Sequence, residues 1–163
     1  MPTNNVTRFL DSRKIPYKAF ALPAEKQSAE ETAAFLEVPL SLIYKSIVVT
    51  RKNGGKEILA VVPGDKEVDT SALAKAVGVK KVKVSSQKEA ERTTGLQVGG
   101  ISPLALIQKG FDIILDSTAE KHETIHVSGG ELGVNIRLPV DALIECTHAL
   151  VAPISRIPST GSH

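Results

Sequence analysis

The chain has 163 residues, of which 42% are apolar and 23% charged, with a formal net charge of +2. That length accommodates one domain with a full hydrophobic core, and the balance is too apolar for a disordered chain. The charge is too small to mark a nucleic-acid binder by itself, and no apolar run approaches the ~20 residues of a membrane span. Aromatic residues are scarce at 4%, with no Trp, so the core has to be built from Val, Ile, Leu and Ala. Cys146 is the one cysteine and has no partner for an internal disulfide, which favours a reducing compartment. Met1 to Asn5 carries neither a basic flank nor an apolar run, so the expected location is the cytoplasm.

In chain order, a first helix is expected from Thr3 or Asn4, with Val6, Phe9 and Leu10 at helical spacing and Ile15-Pro16 ending it. Tyr17 to Leu22 reads as extended. Ser28-Ala29-Glu30-Glu31 is a capping box ahead of an amphipathic helix through Ala33, Ala34 and Leu36, closed by Pro39. Tyr44 to Arg51 and Lys56 to Val62 form a hairpin around Asn53-Gly54-Gly55, whose residues tolerate positive φ. Thr70 is expected to cap a helix through Leu73, Ala76 and Val77 that Gly78 stops. Val82 to Val84 reads as a strand, and Ser86 caps a helix ending near Thr94-Gly95. Strands are expected at Ile113 to Leu115, Thr124 to Val127 and Val134 to Leu138, then a helix over Asp141 to Cys146 and a last strand over Ala149 to Ile154. The polar tail from Arg156 to His163 is expected to be loose, leaving residues 1–155 as a single domain.

There is no repeat and no regular strand–helix alternation. The expected fold is therefore α/β of the α+β kind: a curved, mixed, mostly antiparallel sheet with helices packed around it. The lysines and arginine of Lys75, Lys80, Lys81, Lys83, Lys88 and Arg92 crowd one segment, while Glu25, Glu30, Glu31 and Glu37 sit in another. A local basic face can hold phosphates on a near-neutral protein, and a solvated lysine-rich face accounts for the same residues equally well.

Lys45 is the most informative single residue. In an extended run it shares a face with Ile47 and Val49, so its ammonium must snorkel out or find a partner. It reads either as a strand-end lysine reaching water or as a cation at the rim of a pocket, aimed at a phosphate or a developing negative charge. Gly99-Gly100-Ile101-Ser102-Pro103 permits close approach to the main chain, with Ser102 placed to cap the turn that Pro103 begins. Ser128-Gly129-Gly130 offers a hydroxyl and unhindered amides at a strand end. As bare patterns both are ordinary loops.

Several sites are excluded. Gly55-Lys56 lacks the flanking Gly and Ser/Thr of a phosphate-binding P-loop, and there is no GxGxxG or GxSxG. His122 and His126 are four apart, but the second lies in an expected strand, and Cys146 and His148 have no second pair, so no metal is expected. An enzyme on this chain lacks a conventional nucleophile and base, and is limited to an activated substrate.

Four segments together resemble the YbaK/EbsC family of prolyl-tRNA editing proteins, which is related to the editing insertion of bacterial prolyl-tRNA synthetases. They are Ile43 to Val49, Thr93-Thr94-Gly95, Val98 to Leu104 and Thr124 to Gly130, in the family's order, and the likeness runs from about Val6 to Ile154. The resemblance implies a curved, partly barrel-like sheet and a pocket beside Lys45. It implies an enzyme that acts in trans and needs no cofactor, cleaving a wrongly attached amino acid from the 3′ aminoacyl end of tRNA(Pro) or a similar tRNA, with prolyl-tRNA synthetase as a candidate partner. By analogy Lys45 holds the phosphate of the terminal adenosine, while Gly100 and Ser128 join it in catalysis. Thr94, Gly99, Gly100, Ile101, Ser102, Ser128, Gly129 and Asn135 are the implied substrate contacts. In cysteine-specific relatives the substrate's own thiol attacks the ester. Two departures bear on that assignment: Leu22 and Ser28 stand where such relatives place aromatic residues, and Asn135 where they carry an acid. Cysteine leads, and alanine or another small residue follows. The rival readings are a non-catalytic tRNA- or synthetase-associated module and a small-molecule phosphate binder.

Overall fold

A computed structural model describes residues 2–25 and 27–158. The elements follow from local signals. Asn4 caps α1 (Asn5–Ser12) through a capping box with Thr7, and β1 (Lys18–Ala21) follows. Ser28 and Glu31 form the expected capping box on α2 (Ala29–Leu36). That helix is ended by Glu37, in the left-handed region at φ 58°, rather than by Pro39, which instead opens a 3₁₀ turn over Leu40–Leu42. The hairpin is β2 (Tyr44–Arg51) and β3 (Ile58–Pro63). The short strand β4 (Glu67–Val68), which has no alternation long enough to read, leads into α3 (Thr70–Val77). Asp69, not Thr70, caps α3: its carboxylate accepts from the Ala72 amide at 3.0 Å. Then come β5 (Val82–Val84), α4 (Gln87–Thr94) capped by Ser86, β6 (Asp112–Asp116), β7 (Thr124–Ser128), β8 (Val134–Pro139) and α5 (Val140–Thr147).

The expected last strand, Ala149 to Ile154, is shorter than expected, and a further one follows it. Leu150–Ala152 (β9) pairs in parallel with β6, and Ser155–Arg156 (β10) leaves to pair with β4. Pro153 has no amide hydrogen to continue the first ladder, and Asp116 takes the next amide, that of Ile154, at 2.9 Å. Arg156, expected in the loose tail, is held by Glu67 at 2.8 Å. Residues 159–163 of that tail lie outside the described residues.

The five-stranded sheet runs β5-β2-β3-β6-β9, antiparallel as far as β3 and parallel from there to β9. A second, antiparallel sheet runs β1-β8-β7, and the sheets do not close into a barrel. All six positions of β3 are buried because both faces of the large sheet are covered. On one face Leu59, Val61 and Leu115 pack against Ile125, Ile136 and Leu138 of the second sheet. On the other, Ile58, Ala60 and Val62 pack against Leu73 of α3 and Ile154.

One feature of the pairing shapes the rest of the molecule. β2 pairs with β3 from Tyr44 to Val49, but with β5 only from Val49 to Arg51. Toward its start the other edge of β2 is paired with no strand among the described residues, and Ile43, just before it, forms a parallel bridge to His126 on β7. A gap therefore opens in the sheet, with the end of β5 on one side and β7–β8 on the other.

Two loops flank that gap and clasp each other. Ser128 Oγ donates to the Gly99 carbonyl at 3.2 Å, and Gly100 lies so close to the opposite loop that a Cβ there would sit 2.9 Å from Glu131 Cα. Asn4, while capping α1, also donates to the Gly129 carbonyl at 2.9 Å.

Two stability tests come from these contacts. Asp116 is 1% exposed and accepts from the Ile154 amide, the Ser155 hydroxyl and Thr118. Asp116→Ala strands those donors and should lower unfolding stability by about 3 kcal/mol in urea melts, with the Ile154 amide exchanging faster. Gly100→Ala should cost about 1–3 kcal/mol, because the methyl meets backbone that cannot rotate away.

Candidate functional site

The gap beside β2 is a cavity of about 360 Å³, at the small end of the range for ligand sites. Its floor is the start of β2, with Tyr44, Lys45 and Ser46; one wall is Val84, the last residue of β5, with Ser85 after it, and the other is Ser128, Val134 and Asn135. Gly99 and Ile101 close one end, and Leu22 and Ser28 the other.

Of the residues expected at a site, five line this cavity: Lys45, Gly99, Ile101, Ser128 and Asn135. They come from three distant parts of the chain, and only the pairing of the two sheets brings them together. The other four stand behind it. Thr94 is 2% exposed and closes α4, donating to the Ala90 carbonyl at 2.8 Å and accepting from the Leu96 amide at 3.1 Å. Ser102 is fully buried and caps the Pro103–Ala105 turn through the Leu104 amide at 3.1 Å. Gly100 is the close-approach point between the loops, and Gly129 borders a second cavity, beside α1. Thr94, Gly100, Ser102 and Gly129 thus shape the loops, whereas the cavity wall is made by their neighbours.

Lys45 is half-buried at the start of the open edge of β2, and its ammonium makes no hydrogen bond or ion pair among the described residues. A cation held by its strand but left without an internal counter-ion is available to an anionic ligand. Ser128 Oγ donates to the Gly99 carbonyl and accepts from the Gly130 amide at 3.4 Å, and no general base is hydrogen-bonded to it among the described residues. This serine ties its loop to the Gly99 loop. Tyr44 at the floor is kept neutral: burial pushes its hydroxyl up to about 12, and the nearby Asp116 and Asp65 add to the rise against the opposing Thr118 hydrogen bond. Because Thr118 Oγ1 donates to Asp116, the Tyr44 hydroxyl donates to Thr118 at 2.8 Å, anchoring the floor to the buried carboxylate.

Sequence reasoning missed Ser46, Ser85 and Gln87 as lining residues. Alternation puts Ser46 on the Tyr44 face, which was a usable signal. Ser85 and Gln87 carry none, since their place depends on where β5 stops pairing. The hydroxyl oxygens of Ser46 and Ser85 are buried and have no hydrogen-bond partner among the described residues. No group of three or more His, Cys, Asp or Glu that could hold a metal occurs among the described residues, and no helix among them is long and apolar enough to cross a membrane.

The comparisons with known proteins agree with this geometry. The family model for the aminoacyl-tRNA editing domain matches residues 23–146, which takes in the floor and both walls of the cavity. EbsC of Enterococcus faecalis, named as a candidate Cys-tRNA(Pro)/Cys-tRNA(Cys) deacylase, is 36% identical over 93% of this chain and 92% of its own length. A proline–tRNA ligase of Geobacter metallireducens is 27% identical over 82% of this chain, which spans only 22% of that enzyme. Among solved structures, the hypothetical protein APE2540 superposes with a TM-score of 0.86 at 25% identity, over 94% of this chain and all of that one. A protein described as a candidate trans-editing enzyme for prolyl tRNA synthetase superposes at 0.77 and 23% identity, over 95% and 99% of the two chains, which shows the shared fold. With its family model spanning the cavity and a relative similar along nearly its whole length, the chain belongs to the aminoacyl-tRNA editing domain family.

Proposed function

We propose that the cavity beside Lys45 receives the aminoacylated 3′ end of a mischarged tRNA, tRNA(Pro) first among them, and that the chain removes the amino acid in trans. The chain is an enzyme, an aminoacyl-tRNA deacylase, in keeping with its family and with the relative that matches it end to end. The observation that carries the substrate reading is the uncompensated Lys45 ammonium facing the Gly99 and Ser128 loops across one small cavity.

The chemistry suits such a site. An aminoacyl ester is already activated, so holding it in line with an attacker can replace a catalytic triad. Lys45 holds the phosphate of the terminal adenosine, while Gly99, with its exposed backbone, and Ser128 orient the acyl group. Attack on the ester carbonyl breaks its bond to the ribose oxygen, which leaves as the free hydroxyl with the proton that the attacker gives up; water yields the free amino acid and the substrate's own thiol a cyclic thioester. Either a held water or the thiol of a cysteinyl substrate serves as attacker, and neither needs a protein nucleophile. The cavity's size favours a small aminoacyl group, with cysteine the leading substrate and alanine or another small residue next.

Lys80, Lys81 and Lys83 are exposed on and just before β5, the strand whose end forms one cavity wall. They are placed to meet phosphates of the tRNA as its 3′ end enters, and prolyl-tRNA synthetase is a candidate source of that substrate.

A deacylation panel with Cys-, Ala- and Ser-tRNA(Pro) beside Pro-tRNA(Pro) should show release from a mischarged member and sparing of the correct one. Lys45→Ala should fold with an unchanged melting temperature yet slow single-turnover deacylation roughly ten- to a hundred-fold, the loss of one charge-assisted contact of ~1.5–3 kcal/mol. Lys45→Arg should recover only part of that rate, since a planar fork does not reproduce a compact point charge. A folded Lys45→Ala protein that edits at the wild-type rate removes Lys45 from the site. Replacing Lys80, Lys81 and Lys83 together by Ala should weaken tRNA binding and flatten its dependence on salt by about two units of log–log slope. Unchanged affinity and slope would make that face a solvated surface only.

A further inference from the structure

His126 is a buried titratable side chain that the reaction above leaves without a task. It is 2% exposed on β7, and its ring centroid lies 5.6 Å from that of Phe20 on β1. Its Nδ1 is 2.8 Å from Oδ1 of Asn135. An amide oxygen can only accept, so Nδ1 carries the hydrogen and donates it. Burial pushes the imidazole pKa down, the Asn135 hydrogen bond restores part of the fall, and Arg137 adds to it. The ring is therefore neutral, with its single N–H committed to Asn135.

Asn135 is 4% exposed, stands opposite Ser128 in the β7–β8 ladder and lines the cavity. With Oδ1 taken by His126, the amide nitrogen Nδ2 is the end left for an occupant, and it has no partner among the described residues. The two ends of an amide are nearly the same shape but opposite in hydrogen-bonding sense. Packing alone does not choose between them, and His126 does.

Resting on the reading that this cavity takes the aminoacyl group, we propose that His126 is a positioning residue. It locks the Asn135 amide so that the cavity presents a hydrogen-bond donor, beside Ser128, to an acceptor atom of that group. The acceptor is either the ester carbonyl oxygen or the heteroatom of a small polar side chain. Without His126 the amide turns over freely, and an oxygen then faces an oxygen or sulfur for part of the time.

Two measurements test this. In the wild-type protein at neutral pH, long-range ¹H–¹⁵N NMR of the His126 ring should show the Nδ1–H tautomer with Nε2 bare. The reverse tautomer would require Nδ2 to face the histidine, and overturns the proposal. That readout needs no substrate, so its failure is distinguishable from failure of the substrate reading, which Lys45→Ala and the panel address. Second, His126→Phe keeps an aromatic ring against Phe20 but removes the donor. It should melt close to wild type and deacylate roughly five- to tenfold more slowly, the effect of one misdirected hydrogen bond. In an Asn135→Leu background the same change should make no further difference, because the two residues act as one unit. An equal loss on cysteinyl and alanyl substrates places the donor at the ester carbonyl; a loss confined to the cysteinyl one places it at the side chain. A folded His126→Phe protein with wild-type rates, or losses that simply add in the double variant, would end the proposal.

Discussion

The site depends on an inequality in strand pairing. β2 has eight residues, and β3 pairs with six of them, but β5 is long enough to cover only the last three. An open strand edge normally has to be covered, charged or shortened, because its free amides and carbonyls invite a partner. Here the uncovered stretch is flanked by a second sheet instead of being paired, and the space between becomes the cavity. Lys45 lies in that stretch, which explains how a lysine beside Ile47 and Val49 can sit without a counter-ion among the described residues.

The rest of the fold serves to keep the gap open and its walls in place. The fully buried β3 fixes β2 from behind, and the two apolar layers on its faces resist any shift of register that would turn Lys45 inward. Asp116 ties the end of β6 to the amide of Ile154, to Ser155 and, through Thr118, to the Tyr44 hydroxyl at the cavity floor. On the other side, the Ser128–Gly99 hydrogen bond, the Gly100–Glu131 approach and the Asn4–Gly129 bond join three segments separated by many residues. A rigid surround of this kind fits a reaction in which orientation carries most of the rate.

The electrostatic character of the cavity follows from what is present and what is paired. The Lys45 ammonium has no partner among the described residues, the Tyr44 hydroxyl stays neutral, and the histidine behind the wall is neutral and committed to an amide. Among the described lining residues Lys45 supplies the one cation and Glu25 a carboxylate, and the other polar groups are dipoles.

The sequence by itself determined the local elements and the residue types that matter. The capping box at Ser28, the cap at Ser86, the Gly54-Gly55 turn and the alternation through β2 are short-range signals, read correctly because their physics lies within a few residues. Lys45 was legible for the same reason, as a charge out of place in an apolar period. Only tertiary structure decided which neighbours of the glycine loops face the cavity. Gly99, Ile101 and Ser128 line the cavity, whereas Gly100, Ser102, Thr94 and Gly129 hold the loops behind it. The difference rests on contacts across more than two dozen residues, such as Ser128 to Gly99. The short strands β4 and β10, the early end of the expected last strand at Pro153, and the wall at Ser85 were illegible on the same ground. A strand of two or three residues has too little pattern of its own, and its position is set by the partner it meets in the folded chain.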